Sequence, residues 1–306
     1  MATKASYKTL IHNGVIFLEE YKPQGNFIVN GEKLSALAEE QFVAFAKLRD
    51  TDYVKDKVFV KNFYKCFSRE LSSKQKEWKF PEDYSKLIDR VMIEKEKVKE
   101  EKAAYNKLHK EEIAKQKQEI KDKYGFALVD NKKVPLASYI IEGPGIMMSR
   151  GNSPIRGMWK YRIQPEDITI NFVGPKEQIP QAPEGHHWKK VVSEKDVCYT
   201  ATYCFNIGNY CEGKLKGVNF SAVSDFRKDG EFDKFEKSRN LVKNWDKFEK
   251  HIMNGMHSKD EKVKQAALVA YLIYKSGIRV GNEHDDKTDN GTVGASTLLC
   301  KNIKLL

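Results

Sequence analysis

The chain has 306 residues, 40% of them apolar, and this length has room for about two packed domains of ~150 residues each. No run of about 18 apolar residues occurs and the N-terminus lacks the apolar segment of a signal peptide, which excludes membrane-spanning and secreted classes. The five cysteines are scattered and odd in number, which favours a reducing intracellular compartment over a disulfide framework. The net charge of +11 makes a polyanion the first partner to consider, although many basic proteins simply carry solvated lysines.

The N-terminal third of the sequence predicts short strands followed by two helices. Asn-Gly and Gln-Gly turn signals separate short apolar runs between residues 7 and 34. From Ser35 onward, apolar residues recur at helical spacing in a segment rich in Ala, Glu and Lys. A second helical segment, rich in aromatic residues, is predicted over residues 58–71.

Residues 91–123 contain no glycine or proline, and between residues 94 and 123 ten lysines stand against seven glutamates and one aspartate. This pattern is typical of a solvated helix with many Glu/Lys neighbours at i,i+4, each worth ~0.2–0.5 kcal/mol. The apolar positions repeat every seven residues but slip by one residue after Tyr105, so we predict a protruding helix or helical pair rather than a coiled coil. Most of these lysines are interpreted as a solubilising surface, with contact to a polyanion as the alternative.

The composition changes after the lysine-rich segment, where glycines and prolines punctuate alternating β-branched and aromatic residues. We therefore predict a β-rich region over residues 126–220 and a return to helix over 232–252. The clearest helical pattern follows: Ser258 and Glu261 have the spacing of a capping box, small apolar residues recur at helical spacing, and Gly277 ends the helix.

Several familiar catalytic motifs are absent from the sequence. There is no GxxxxGKS/T loop, so nothing indicates use of ATP, and there is no GxSxG nucleophile elbow. Cys198, Cys204 and Cys211, near His186-His187, lack metal-finger spacing and are interpreted as core or strand residues. We predict no cofactor and no metal site.

The stretch IEGPGIMMSRGNSPIRGMWKYRIQPEDITIN, from Ile141 to Asn171, combines four glycines and three prolines with a cluster of cations. The glycines near Arg150 would allow close approach of the backbone to a ligand. An arginine on such a loop can enter a narrow minor groove of DNA, where negative potential is concentrated.

Lys160 and Arg162 alternate with apolar residues in the same stretch. At strand period two the cations would face one way and could follow the phosphates of a nucleic acid. The alternative is that Arg162 pairs with Glu166 or Asp167, which would leave Arg150 unexplained.

A second candidate site follows the capped helix in the sequence LIYKSGIRVGNEHDDKT. Arg279 comes just after the Gly-terminated helix and two residues before Gly281. An arginine held at a rigid helix end is well placed to bind a phosphate bidentately. The alternative is that its guanidinium bonds nearby carbonyls or Glu283.

Taken together, these segments resemble eukaryotic-type DNA topoisomerase I, the type IB enzymes, over residues from about 8 to 306. The stretch from Ser149 closely follows the family pattern RGxxPxxGxxKRRxxPEDxxxN. The other motifs that carry the resemblance are HNGVIF (12–17), KNFYKCF (61–67), PEGHHWKKV (183–191), KFEKSRNL (234–241), IRVGNE (278–283) and TVGASTL (292–298).

The resemblance implies an α+β fold, a multi-subdomain clamp around duplex DNA with a β-rich DNA-contacting region, long cap helices and the start of a helical catalytic domain. Residues 1–18 with 106–222 would form the β-rich DNA-binding subdomain, 19–105 the cap and 225–306 the start of the catalytic subdomain. The family relaxes supercoiled DNA in the nucleus by transient single-strand cleavage through a phosphotyrosine. It requires neither ATP nor a metal, in agreement with the motifs that are absent.

By the same resemblance, Arg279 matches a catalytic arginine that stabilises charge on the phosphate oxygens in the transition state. Arg150 matches an arginine that enters the minor groove beside the cleavage site. The other positions that match or flank DNA contacts are Lys102, Gly151, Asn152, Arg156, Lys160, Arg162, Lys216, Gly217, Lys234, Val280, Gly281, Asn282, Glu283, His284 and Thr292.

The sequence departs from the family pattern in two respects. His284 stands where relatives carry a cation, so that contact is expected to be weaker or pH-sensitive. Tyr161 and Ile155 also replace cations, so fewer phosphate contacts are expected in their loop, with Arg156 as a substitute. In the family, a catalytic Lys, a second Arg, a His and the nucleophilic Tyr follow later than the position of Leu306. Three explanations stay open: a fragment of a longer enzyme, one subunit of a split enzyme completed by a second polypeptide, or a truncated relative that only binds duplex DNA. A lysine-rich scaffold without nucleic acid is disfavoured by Arg150 and its loop.

Overall fold

A computed structural model describes residues 6–149, 153–207, 215–281 and 293–304, with the side chains of residues 229–231 and 301 outside that description. The chain divides into two compact units: the first is formed by Thr3–Arg150 with Ile155–Arg227, and the second mainly by Lys228–Leu306. Helices occur together with several small sheets, so the predicted mixed α+β class is confirmed. No helix in the described ranges is long and apolar enough to cross a membrane.

The helices and strands follow in chain order. The α-helices of the first unit are α1 (Ala36–Ala46), α2 (Lys57–Phe67), α3 (Ser85–Leu108) and α4 (Lys110–Tyr124). Short 3-10 helices occur in it at Asp52–Lys55, Gln75–Glu77, Glu82–Tyr84, Pro165–Asp167 and Lys176–Gln178. Its strands are β1 (Leu10–His12), β2 (Ile28–Val29), β3 (Glu32–Lys33), β4 (Phe126–Val129), β5 (Lys132–Pro135), β6 (Gly145–Ile146), β7 (Trp159–Lys160), β8 (Thr169–Asn171), β9 (Lys190–Val192), β10 (Tyr199–Cys204) and β11 (Leu215–Asn219). The remaining helices are α5 (Asp225–Lys243), which begins in the first unit, then α6 (Trp245–Met256), α7 (Glu261–Ser276) and short 3-10 helices at Ala295–Thr297 and Cys300–Asn302.

Helices α1 and α2 begin at or next to the predicted positions, because a side chain caps each of them. The Ser35 hydroxyl accepts a hydrogen bond from the Ala38 N–H at 3.1 Å, and the Asp56 carboxylate accepts one from the Val58 N–H at 2.8 Å. The apolar faces of both helices and the first turns of α3 bury a cluster of aromatic rings. This cluster contains Phe42, Phe45, Phe59, Phe63, Phe67 and Tyr84.

The lysine-rich segment is helical as predicted, but it starts earlier and is interrupted. Helices α3 and α4 are separated by His109, whose ring stacks on Tyr105 at a centroid distance of 4.1 Å. The buried residues of α3 all precede Ile93, and α4 has no buried residue. Beyond that point the two helices expose nearly all their side chains within the described structure, which agrees with a protruding helix.

A second core of the first unit lies between its two larger sheets. Strand β4 pairs with β1 and β5 in one sheet, and the other sheet has the order β11-β10-β8-β9 with β8 parallel to β9. The β4–β5 turn is made by Asp130 and Asn131, which have φ values of 46° and 63°, as a two-residue hairpin turn of the primed type requires. These strands confirm the β-rich region predicted over residues 126–220.

In the second unit, α6 packs beside α7. Asp260 caps α7 by accepting a hydrogen bond from the Lys262 N–H at 2.8 Å, while the Ser258 hydroxyl accepts one from the Asp260 N–H at 3.1 Å. The predicted capping box of Ser258 and Glu261 is therefore wrong, since the helix begins two residues later and uses the stronger carboxylate acceptor. Gly277 ends α7 as predicted, with a left-handed φ of 66°.

Candidate nucleic-acid interface

The described residues contain ten of the predicted site positions. Seven others lie outside the described ranges and stay predictions: Arg150, Gly151, Asn152, Asn282, Glu283, His284 and Thr292. Lys102 on α3 is exposed and forms no ion pair with any described residue, Lys234 is exposed on α5, and Gly217 lies on β11. The remaining seven form the local arrangements below.

Lys160 on β7 and Lys216 on β11 belong to different sheets, yet both reach the same carboxylate. Their ammonium groups form ion pairs with the two carboxylate oxygens of Glu142. Both ammonium groups also lie over the ring of Phe205, at 5.7 and 4.1 Å from its centroid. The structure thus brings together two predicted phosphate-binding lysines, an acid and an aromatic ring.

Glu142 is the one acid among six Lys and Arg residues between positions 131 and 162. Partial burial by itself would raise the pKa of this carboxyl, but the hydrogen bonds from Lys160 and Lys216 outweigh that effect and hold the pKa below its ordinary value. The carboxylate therefore stays ionised at neutral pH. Its contribution to stability is present above the pKa of the unfolded carboxyl and is lost as the pH falls through the lower folded pKa.

Arg156 and Gly157 fasten their loop to helix α2. The Arg156 guanidinium, whose side chain is 14% exposed, pairs with Asp56 at an Nη2–Oδ1 distance of 3.2 Å, and its carbonyl accepts a hydrogen bond from the Asn62 amide at 2.8 Å. Gly157 has a φ of 85°, and a Cβ there would lie 2.1 Å from the Phe59 carbonyl oxygen, so only glycine fits. Two of the family-like motifs therefore meet at this point, and a phosphate contact by Arg156 stays a prediction.

Arg162 is anchored to the N-terminal segment and to α1. Its guanidinium donates to the Leu18 carbonyl at 3.0 Å and lies 3.6 Å from the Glu40 carboxylate. Arg162 therefore pairs with a carboxylate, but the alternative that this carboxylate belongs to Glu166 or Asp167 is wrong. The Glu166 carboxylate instead accepts from the backbone N–H of residue 187, and that of Asp167 accepts from the N–H of residue 164.

The alternation over residues 159–163 predicts one continuous strand, but β7 ends at Lys160. The Tyr161 N–H donates to the Asn206 carbonyl at 2.8 Å, which takes the chain out of the β6–β7 pair. Lys160 and Arg162 consequently reach different carboxylates and do not form one cationic face.

A buried polar joint between the HNGVIF motif and the end of the PEDITIN segment was not predicted. His12 is 4% exposed; its Nε2 is 2.9 Å from the Asn171 carbonyl oxygen, and its Nδ1 is 3.1 Å from the Gly14 nitrogen. Because the Gly14 N–H can only donate, Nδ1 is the acceptor and Nε2 carries the proton of a neutral ring. The Asn171 amide donates to the Tyr7 hydroxyl at 3.2 Å and accepts from the Glu194 N–H at 2.8 Å. Polar residues at the ends of apolar runs were the only sequence signal for this joint.

The buried joint predicts a pH-dependent stability. Burial lowers the pKa of His12 from 6.5 to about 4, so between these values the unfolded chain binds more protons than the folded one. Stability is therefore complete above pH 6.5 and falls as the pH decreases towards 4, by about 3 kcal/mol for this group. Denaturant titrations should show this slope in the wild type and a flatter one in His12→Gln, with His251→Gln as the control, at an exposed histidine whose side chain forms no hydrogen bond with any described residue. Equal slopes in the wild type and His12→Gln would contradict the assignment.

In the second unit, the IRVGNE and TVGASTL motifs are joined through their backbones. The Ala295 N–H donates to the Arg279 carbonyl at 2.8 Å, and the Ser296 N–H donates to the Val280 carbonyl at 2.7 Å. The Ser296 hydroxyl adds a further hydrogen bond to the Val280 carbonyl at 2.8 Å. The backbone on both sides of the Arg279–Val280 peptide is thereby fixed.

Two glycines make this joint possible. Gly281 has a φ of 91°, and a Cβ added to Gly294 would lie 2.3 Å from the Gly281 nitrogen and Cα and 2.7 Å from the Arg279 carbonyl oxygen. The Arg279 side chain is exposed and forms no ion pair with any residue that the structure describes. Its guanidinium is thus available to a ligand, whereas the alternative partner Glu283 lies outside the described residues.

The cysteines proposed as core or strand residues include Cys204 on β10 and Cys198 just before it, both partly buried, while Cys211 lies outside the described ranges. Within the part of the chain that the structure describes, no group of three or more His, Cys, Asp or Glu side chains is arranged to hold a metal ion.

Comparison with known proteins gives the class to which this fold and site belong. Residues 5–215 match the family model of the eukaryotic DNA topoisomerase I DNA binding fragment, and residues 223–306 match that of the eukaryotic DNA topoisomerase I catalytic core. The chain belongs to the eukaryotic DNA topoisomerase I family, which confirms the resemblance seen in the sequence motifs.

Similar proteins come from animals and plants. The chain is 34% identical over 307 residues to DNA topoisomerase 1 of Homo sapiens, and 35% identical over 305 residues to DNA topoisomerase 1 alpha of Arabidopsis thaliana. Each comparison covers 98% of this chain, which spans 39% of the human relative and 32% of the Arabidopsis one.

Proposed function

We propose that residues 1–306 form the DNA clamp and the start of the catalytic region of a type IB DNA topoisomerase. Such an enzyme relaxes supercoiled duplex DNA without ATP, by transient cleavage and religation of one strand through a phosphotyrosine. The observation that carries the proposal is the joint between residues 279–281 and 294–297, which fixes the Arg279 backbone and leaves its guanidinium exposed. A guanidinium presented in this way can donate two N–H groups to phosphodiester oxygens as their charge grows in the transition state.

The domain organisation is part of the proposal. Residues 1–18 with 106–222 would form the β-rich DNA-binding subdomain, 19–105 the cap and 225–306 the start of the catalytic subdomain. The hydrophobic core between the larger sheets is built from residues of 7–15 and 127–220, which supports the first of these. The core around α1 and α2 is built mainly from residues 27–91 and also takes in Ile146, Trp159 and Ile207, so the cap packs directly against part of the second stretch. The partner is duplex DNA, bound mainly through phosphates and the minor groove, and the place of action is the nucleus.

The nucleophile of the proposed reaction is a tyrosine outside residues 1–306, on a longer chain or on a second polypeptide. None of the 14 tyrosines in the sequence lies in the SKxxY context that the family uses. Burial raises the pKa of Tyr7 to about 12, and burial also raises the pKa of Tyr199 to about 12, so both phenols are poorly suited to ionise as nucleophiles. The second candidate function is duplex binding without cleavage, by a non-catalytic relative.

Purified residues 1–306 are expected to bind duplex DNA strongly at low salt and to leave a supercoiled plasmid unrelaxed. The logarithm of the binding constant should fall with the logarithm of salt concentration by about 0.9 for each phosphate neutralised. Fluorescence anisotropy with a labelled duplex measures the binding, and gel electrophoresis of a plasmid incubated without ATP measures relaxation.

The outcomes of this experiment decide between the two candidate functions or exclude both. Relaxation by residues 1–306 alone would contradict the placement of the nucleophile. Binding that persists without relaxation, even after the rest of the catalytic region is added, would favour the non-catalytic function. A chain that binds no duplex DNA would overturn both.

A further inference from the structure

We infer that Glu142 is a placeholder for a DNA phosphate: in the free protein its carboxylate occupies the site between Lys160 and Lys216, and a phosphodiester displaces it on binding. The inference rests on the proposed function, because it describes how one part of that DNA-binding surface is held before DNA arrives.

Strand pairing fixes the backbones of both lysines. Lys160 lies opposite Gly145 in the β6–β7 pair, and Lys216 lies opposite Tyr203 in the β10–β11 pair. Glu142 lies outside the regular strands, two residues after the isolated bridge of Ile140. Glu142 is therefore the residue of the cluster whose backbone is least constrained by sheet hydrogen bonds.

The cluster is open enough for exchange. The side chains of Glu142 and Lys216 are 33% and 42% exposed, while that of Lys160 is 17% exposed. An arriving anion can thus reach the ammonium group of Lys216 while Glu142 still holds Lys160. The carboxylate can then leave towards water without any strand having to move.

A phosphodiester fits the place of the carboxylate chemically. Both groups present two anionic oxygens, and in this site each carboxylate oxygen accepts from one ammonium group. The face of the Phe205 ring lies beneath both ammonium groups and attracts them independently of the anion. The ring would keep the lysines converged after Glu142 has left.

The placeholder role has a consequence for ion release. Two ammonium groups and one carboxylate give the free site a net charge of +1. In this state the carboxylate takes the place of one salt anion that the lysines would otherwise attract. Removal of the carboxylate leaves that place to a salt anion, which DNA then displaces. The salt dependence of binding should therefore become steeper, because one more salt ion is released when DNA binds.

A permanent structural role for Glu142 predicts the opposite change in affinity. If the carboxylate must stay in place to hold the lysines on the binding surface, its removal would let them separate, and affinity for DNA would decrease. An increase in affinity for DNA on removal of the carboxylate thus indicates a placeholder, and a decrease indicates a permanent structural role.

The test compares Glu142→Gln with Glu177→Gln in the 306-residue chain, using a labelled duplex oligonucleotide at increasing KCl concentrations. Glu177 is exposed and forms no ion pair with any described residue, so its substitution makes the same change in net charge away from the cluster. We expect Glu142→Gln to bind about three- to tenfold more tightly at low salt, with the steeper slope, and Glu177→Gln to stay close to the wild type. Unchanged or weaker binding by a folded Glu142→Gln variant would overturn the inference.

A second background localises the effect to the two lysines. In a Lys160→Met/Lys216→Met variant, the added substitution Glu142→Gln should no longer tighten binding, because no ammonium group is left to release. A gain that persists there would show a general charge effect and would also overturn the inference. The outcome is separable from the proposed function, because a wild-type chain that does not bind duplex DNA would defeat the proposed function itself, whereas wild-type binding with unchanged or weaker binding by Glu142→Gln would defeat only this inference.

Discussion

Substitution of Arg279 by alanine is expected to lower the rate of DNA cleavage by a complete enzyme by about 10²–10³-fold, equivalent to about 3–4 kcal/mol of transition-state stabilisation. The effect is large because a guanidinium aimed at the phosphate oxygens strengthens its hydrogen bonds as negative charge accumulates on them. The affinity for intact duplex DNA should change little, since many other phosphate contacts contribute to binding. The measurements are the single-turnover cleavage rate of a labelled duplex and the equilibrium binding of the same duplex.

Two variants control this experiment. Arg279→Lys keeps the positive charge but not the planar pair of donors, so it should recover only part of the rate. Arg239→Ala removes an exposed arginine of α5, which pairs with Glu236, and should cleave at the wild-type rate. A loss of binding by Arg279→Ala without a loss of cleavage rate would contradict a catalytic role.

Substitution of Gly294 by alanine is expected to disrupt the joint that fixes Arg279. The added Cβ would lie 2.3 Å from two backbone atoms of Gly281, and backbone cannot move aside as a flexible side chain can. The overpacking should destabilise the second unit by about 1–3 kcal/mol and displace Arg279, so cleavage should decrease together with thermal stability. Thermal unfolding of residues 1–306 and cleavage by the complete enzyme measure the two effects.

The matched control is Gly145→Ala, where an added Cβ meets no atom within 4 Å. This variant removes a glycine and adds one methyl group without the steric conflict, so its unfolding temperature should stay near that of the wild type. If Gly294→Ala unfolds at the same temperature as Gly145→Ala, the close crossing of the two motifs is not what holds this segment together.

The family-like motifs illustrate how far sequence reasoning reached. Their residues indicated a DNA-binding enzyme, and the comparisons confirmed the family. Their structural roles were less visible: Gly157 is a contact point for α2, and His12 with Asn171 joins two distant segments through buried hydrogen bonds. A motif residue can thus be required by packing as well as by chemistry.

The cationic residues likewise differ between what the sequence suggests and what they contact in the folded chain. From the sequence, Arg156, Lys160 and Arg162 all look available to phosphates. In the folded chain each has a carboxylate partner, on Asp56, Glu142 and Glu40 respectively. Among the arginines singled out for phosphate chemistry within the described ranges, Arg279 has an exposed guanidinium that forms no ion pair with a described residue, which supports the proposal that it acts on the phosphate.

The sequence by itself determined the family and the general location of most helices and strands, because propensity and periodicity act within a few neighbouring residues. It also determined the Gly277 end of α7, where the left-handed conformation is a property of one residue. Only the tertiary structure decided which charged groups form pairs. Arg156 pairs with a carboxylate that is 100 residues away in the sequence, and Lys216 pairs with Glu142 at a separation of 74 residues. Electrostatic and hydrogen-bond energies depend on distance and solvent exposure, and for such separations both are set by the fold of the whole unit.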